Sequence, residues 1–107
     1  PIVQAIEGRI NDYVYSEETG KINLGNISNC VKYVKGVKRF QIIQNKLDMI
    51  QVLVEADVTY TEIDEARFLK ELKDRMGLAV DIEFRHVDHI PRESSGKYRI
   101  VKNNIAQ

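Results

Sequence analysis

Between Val37 and Ala56 the chain carries two runs separated by nothing longer than a turn at Asn45-Lys46. In the first, Val37 to Gln44, Phe40 and Ile42 share a face. In the second, Met49 to Ala56, Ile50, Val52 and Val54 share one face, with Gln51 and Glu55 on the other. A side-chain period of two is the pattern of a half-buried strand. A connection this short cannot carry a parallel crossover, so the two runs form an antiparallel hairpin. An apolar sheet face needs a cover, and that need constrains the rest of the chain.

Two segments have helical spacing. Gly25-Asn26 offers an N-cap for a helix with Ile27, Cys30, Val31 and Val34 inward, closed by Gly36. Thr61-Glu62-Ile63-Asp64 resembles a capping box, with Asp a shorter third partner than the usual Glu. The helix it opens turns Ala66, Leu69, Leu72 and Met76 inward and ends at Gly77. Val80, Ile82 and Phe84 then alternate with Asp81, Glu83 and Arg85, and Tyr98 to Val101 makes a further short strand. Near the N-terminus, Asp12 to Tyr15 and Ile22 to Leu24 flank a polar loop containing Gly20 and read as a second hairpin. The expected fold is α+β. Strands 37–44, 48–56 and 80–85 form a small antiparallel-containing sheet with two helices on one face. The order is the ferredoxin-like helix–strand–strand–helix–strand, plus the N-terminal β-hairpin.

The 107 residues suit one domain with its own core. Equal numbers of acidic and basic residues, 16 of each, give no basic excess, which argues against nucleic acid and anionic membranes as partners. No apolar run approaches a membrane span and no signal peptide opens the chain. The single cysteine, Cys30, excludes an intrachain disulfide and fits a reducing, cytoplasmic compartment. Beginning at Pro1, the chain reads as a piece of a longer protein.

The stretch IPRESSGKYR, Ile90 to Arg99, sets a proline, a polar loop, a glycine and a lysine in sequence. A Walker-type phosphate loop would need glycine where Pro91 stands and Ser or Thr where Tyr98 stands, so that reading fails. Taken alone, Lys97 reads as a solvated loop lysine. His86 and His89 are spaced HxxH, but the segment follows a strand and runs into Pro91, so a loop histidine pair is expected and no metal site. Cys30 reads as a buried small hydrophobe. Lys70, Lys73 and Arg75 are balanced by Glu71 and Asp74 on a solvated helix face. Gly8 to Val14, GRINDYV, reads by itself as a polar turn before a hairpin.

Taken together, GRINDYV and IPRESSGK at the two ends, with the helix–strand–strand–helix–strand unit between, resemble the C-terminal domain of adenylate-forming enzymes. These are the acyl-CoA synthetases, peptide-synthetase adenylation domains and luciferases. The family's closing P-x4-G-K motif is matched by Pro91 to Lys97; its GR-x-(D/K) hinge is met at Gly8 and Arg9 and departs from the pattern at Asn11, which is followed by Asp12 at the pivot. FQIIQ at Phe40 to Gln44 and the ending GKYRIV are most similar to the phenylacetate–CoA ligase branch and its capsular polysaccharide biosynthesis members.

The resemblance implies a hinge segment at 1–12 and a lid domain at 13–107 whose partner is the chain's own N-terminal catalytic domain. It implies ligation of a carboxylic acid through an acyl adenylate, with Lys97 as the adenylation lysine and Arg9 at the nucleotide ribose. Asn11 and Asp12 would be the hinge, and Pro91 and Gly96 would support the loop. ATP and Mg2+ would bind mainly in the other domain, with coenzyme A as a possible acceptor; this fragment by itself would be inactive. The alternative is a stand-alone ferredoxin-like regulatory or interaction module without catalysis.

Overall fold

The computed structural model describes residues 13–96 and 98–105. The described residues open with a hairpin of β1 (Tyr13–Ser16) and β2 (Gly20–Asn23), in register from Tyr13 opposite Asn23 to Ser16 opposite Gly20. A short helix α1 (Leu24–Ser28) follows and tightens into a 3-10 turn over Asn29–Val31. Next come β3 (Val37–Lys46), β4 (Met49–Ala56), α2 (Glu62–Met76), β5 (Asp81–His86) and β6 (Val101–Asn103).

The larger sheet has the order β5-β4-β3-β6. Its centre is the expected antiparallel pair of β3 and β4, with Phe40 opposite Val54 and Ile42 opposite Val52. β5 adds parallel to β4, reached through α2, and β6 adds parallel to β3 at the far edge. One face packs under the helices. Phe68 of α2 is fully buried and meets Phe40 and Phe84 edge-on, at centroid distances of 5.4 and 5.3 Å. Such aromatic contacts add to the area that each ring buries. Ile42, Ile50, Val52, Val54, Leu72 and Met76 complete this layer, and Ile27 and Cys30 join it from α1 and the 3-10 turn.

Some boundaries depart from expectation for local reasons. The first helix begins earlier because Asn23, not Gly25-Asn26, is the N-cap: its Oδ1 accepts from the Asn26 amide at 2.9 Å. It also ends at Ser28, and the remaining inward residues ride on the 3-10 turn and the loop to Gly36. In α2 the inward residue of the second turn is Phe68, while Ala66 is exposed. The Thr61 capping box is present, with the Thr61 amide donating to the Asp64 carboxylate at 2.9 Å. β3 runs on through Lys46, so the turn is Leu47-Asp48. The last strand lies at Val101–Asn103, slightly beyond the expected Tyr98–Val101.

Candidate functional site

β5 and β6 occupy opposite edges of the sheet, so the chain between them must cross β4 and β3. The crossing lies on the face away from α2, which the alternation assigns to Arg39, Gln41, Leu53 and Glu55. The crossing covers Gln41, Leu53 and Glu55, which are buried although no helix among the described residues lies on that face.

The crossing is tied down at both ends. Val87 extends the β5 ladder by donating to Val54 O at 2.9 Å. The amide of Ile90, itself buried, donates to Glu55 Oε2 at 3.3 Å. The other Glu55 oxygen takes Arg39 Nη1 at 2.7 Å, in an ion pair with a well-buried carboxylate. Burial pushes this carboxyl upward, but the Ile90 amide and the Arg39 guanidinium prevail and hold it below its ordinary value. At the far end, Gln41 Nε2 donates to Arg99 O at 2.8 Å and the Ile42 amide to Ile100 O at 2.7 Å.

Between these ties, Pro91 to Gly96 are exposed. A turn closes with the Gly96 amide donating to Glu93 O at 2.8 Å, and Arg92 Nη1 reaches Gly96 O at 3.1 Å. Gly96 has φ +88, and a Cβ there would meet nothing within 4 Å. The glycine therefore serves the backbone turn and leaves the space beside it open. Beneath the loop is an open groove of about 440 Å3, lined by Gln41, Pro91, Arg92, Glu93, Ser94 and Lys102. Of the sequence-predicted site residues, Pro91 and Gly96 fall on this loop. Lys97, Arg9, Asn11 and Asp12 lie outside the described residues.

The N-terminal hairpin is fixed from two sides. Gln44, fully buried, accepts from the Tyr15 amide through Oε1 and donates to Tyr15 O through Nε2, each at 2.7 Å. Asn103 Nδ2 donates to Tyr13 O at 2.9 Å. On the other side the hairpin turn clasps the end of α2. Ser16 Oγ donates to Met76 O, Thr19 Oγ1 donates to Arg75 O at 2.7 Å, and Glu18 Oε2 accepts from the Ala79 amide at 2.8 Å. The Ser16 and Thr19 hydroxyls take up carbonyls that a helix C-terminus leaves without partners, and Glu18 holds an amide just beyond it.

His86 ends β5 and is not part of a loop pair with His89. Its Nε2 lies 2.8 Å from Glu65 Oε1, the same oxygen that accepts from the Tyr60 hydroxyl at 3.0 Å. Cys30 is buried, and that burial pushes its thiol up to about 11, as expected of a core residue and not a nucleophile.

Sequence reasoning did not single out Glu55, Gln41, Gln44 or Asn103. Their one sequence signal is polarity in strands that are otherwise apolar. It was ambiguous because the same residues suit a solvent-facing edge.

A family model described as the CapK C-terminal domain matches residues 14–104. Protein CapK of Staphylococcus aureus is 33% identical over 108 residues, which cover 96% of this chain and 23% of that protein. The chain thus spans about a quarter of the length of this relative. Two solved structures share the fold at 17% identity. One is an open conformation of 2-hydroxyisobutyryl-CoA ligase in complex with 2-HIB-AMP and CoA, with a TM-score of 0.59 over 86% of this chain and 21% of that one. The other is a domain of phenylacetate-coenzyme A ligase from Bacteroides vulgatus, with a TM-score of 0.57 over 88% of this chain and 93% of that one. With the family match spanning both hairpins, both helices and the looped crossing, the chain belongs to the CapK C-terminal domain family.

Proposed function

We propose that this chain is the mobile C-terminal domain of an AMP-forming, cytoplasmic carboxylate ligase, and that its exposed crossing loop brings Lys97 to the reaction. The observation that carries the reading is the loop itself. A polar, exposed segment is held by a buried anchor at each end, in a chain matched almost end to end by a family of ligase-related C-terminal domains.

The chemistry sets the requirement. A carboxylate that attacks the α-phosphate of ATP brings two anionic groups together, and a positioned cation lowers the barrier. A lysine supplies a compact charge with three donors on a long stem. Lys97 has this role, Arg9 contacts the ribose, and Asn11 and Asp12 form the pivot between domains. Among the described residues no group of three or more His, Cys, Asp or Glu side chains could hold a metal ion. Magnesium comes with ATP and is held mainly by its phosphates and the N-terminal catalytic domain. Rotation about the hinge then withdraws the lysine and turns the hairpin of β1 and β2 toward the acceptor, with coenzyme A as the acceptor thiol. The solved 2-hydroxyisobutyryl-CoA ligase of the same fold is in complex with both 2-HIB-AMP and CoA, which supports an acyl adenylate as the intermediate and CoA as the acceptor.

The test is acid-dependent ATP–pyrophosphate exchange by the full-length parent, with a panel of aromatic and short aliphatic acids that includes phenylacetate and 2-hydroxyisobutyrate. Exchange with at least one acid, and its absence from the isolated 107-residue chain, is the expected result. No exchange with any acid contradicts the reading.

A further inference from the structure

The crossing between β5 and β6 could have been tied down by backbone ladders alone, yet its two ends rest on buried polar side chains. Glu55 and Gln41 stand on adjacent antiparallel strands, on the face away from α2. Glu55 is opposite Arg39 and Gln41 opposite Leu53 in the register. Both are nearly inaccessible, at 5% and 2% exposure. Each spends its hydrogen bond on a backbone group just outside the exposed loop: Glu55 on the amide of Ile90, next to Pro91, and Gln41 on the carbonyl of Arg99. Arg39 in turn holds the Glu55 carboxylate at 2.7 Å. Burying a carboxylate and an amide is costly unless each is satisfied, and the partners here are the loop's own ends. Pro91 at one end fixes a backbone angle, and the turn closed from Gly96 to Glu93 limits the middle.

We propose that Glu55 and Gln41 are positioning residues for adenylate formation: they set the two ends of the Pro91–Gly96 loop and so the reach of the catalytic lysine that follows it. This rests on the function proposed above. Neither side chain touches substrate in this account. They act by holding the loop in one conformation, which reduces what must be ordered when the transition state forms.

The experiment uses the full-length parent with an acid that supports exchange, and compares Gln41→Leu, Glu55→Gln, Lys97→Ala and the double variants that combine each anchor with Lys97→Ala. Each anchor variant is expected to lower the kcat of ATP–pyrophosphate exchange about tenfold, the scale of one lost hydrogen bond. The KM for ATP should move less than about twofold, because the nucleotide is bound mainly elsewhere. Transfer from preformed acyl adenylate to coenzyme A should be unchanged, which also shows that the variants fold. In the Lys97→Ala background the anchor substitutions should cause no further loss, since they act through that lysine.

The same fold-loss in both backgrounds, or equal losses in both half-reactions, makes the anchors merely structural and overturns the inference while leaving the function standing. Full exchange activity in Gln41→Leu and Glu55→Gln, beside a slow Lys97→Ala, does the same. Full activity in Lys97→Ala sinks the functional reading and this inference with it.

Discussion

Gln44 and Asn103 are register partners on the parallel strands β3 and β6, and the side-chain amides of both reach the backbone of β1. Gln44 pairs with the amide and carbonyl of Tyr15, as a neighbouring strand would, and Asn103 takes the carbonyl of Tyr13. The small sheet is thus joined to the large one by two amide side chains. Tyr13 directly follows the proposed hinge, and β6 directly follows the crossing from β5. The same pair of residues therefore ties the start of the domain to the strand that receives the loop.

Gln44→Leu tests that joint. Leucine fills most of the space but leaves the amide and carbonyl of Tyr15 without their partner. The expected loss is about 2 kcal/mol, the cost of partly buried backbone groups left unpaired. Urea denaturation of the purified domain measures it. A loss below about 0.5 kcal/mol, the level of an ordinary surface change, would mean that the amide pairing does not hold the hairpin.

Two glycines with nearly the same backbone angle should respond differently. Gly36 has φ +87 and a Cβ would lie 2.5 Å from the Tyr60 amide nitrogen, whereas Gly96 at φ +88 faces open space. Gly96→Ala should cost only the conformational penalty, about 1 kcal/mol. Gly36→Ala adds a collision with backbone that cannot swing aside, for a total of about 3 kcal/mol. Thermal unfolding of the two variants ranks them, and equal shifts in Tm would contradict the contrast.

Much of this architecture was legible in the sequence because it rests on periodicity. Phe40 with Ile42, and Ile50 with Val52 and Val54, mark the helix-side face of the central hairpin, and Thr61 and Asp64 mark the start of α2. The loop from Pro91 to Gly96 was legible as polar from its composition, a run of charged and serine residues between a proline and a glycine. Phe68 was missed because the pattern Ala66, Leu69, Leu72 fits a helix face almost as well, and only the ring contacts with Phe40 and Phe84 decide the rotation. Glu55 and Gln41 were illegible as anchors. Their burial depends on a segment more than thirty residues away that crosses their face, and a local pattern carries no record of such a partner.

Acid should weaken the domain in a definite window. The Thr61 amide holds the Asp64 carboxyl below its ordinary value against the opposing effect of burial, helped by the Thr61 hydroxyl and the Lys35 amide. A folded-state pKa below the unfolded one gives stability that is present above the unfolded value, about 3.9 for Asp. That stability is lost as the pH falls through the folded value. The advantage of the native chain over Asp64→Asn should therefore be largest near neutrality and shrink below about pH 4. Urea midpoints measured from neutral to strongly acidic pH check it. A difference that stays constant or grows toward acid would reverse the sign.

The most direct measurement is of the two half-reactions of the full-length parent, made separately for the native protein and Lys97→Ala. If the domain delivers this lysine only for adenylate formation, the variant should slow acid-dependent ATP–pyrophosphate exchange by at least about 10²–10³, the loss typical of one transition-state contact. Conversion of preformed acyl adenylate to the coenzyme A thioester should proceed at nearly the native rate, and Lys97→Arg should restore exchange only in part, because a planar guanidinium is a poor replacement for a point charge at close approach. Equal losses in both half-reactions, or native rates in both, would contradict the account.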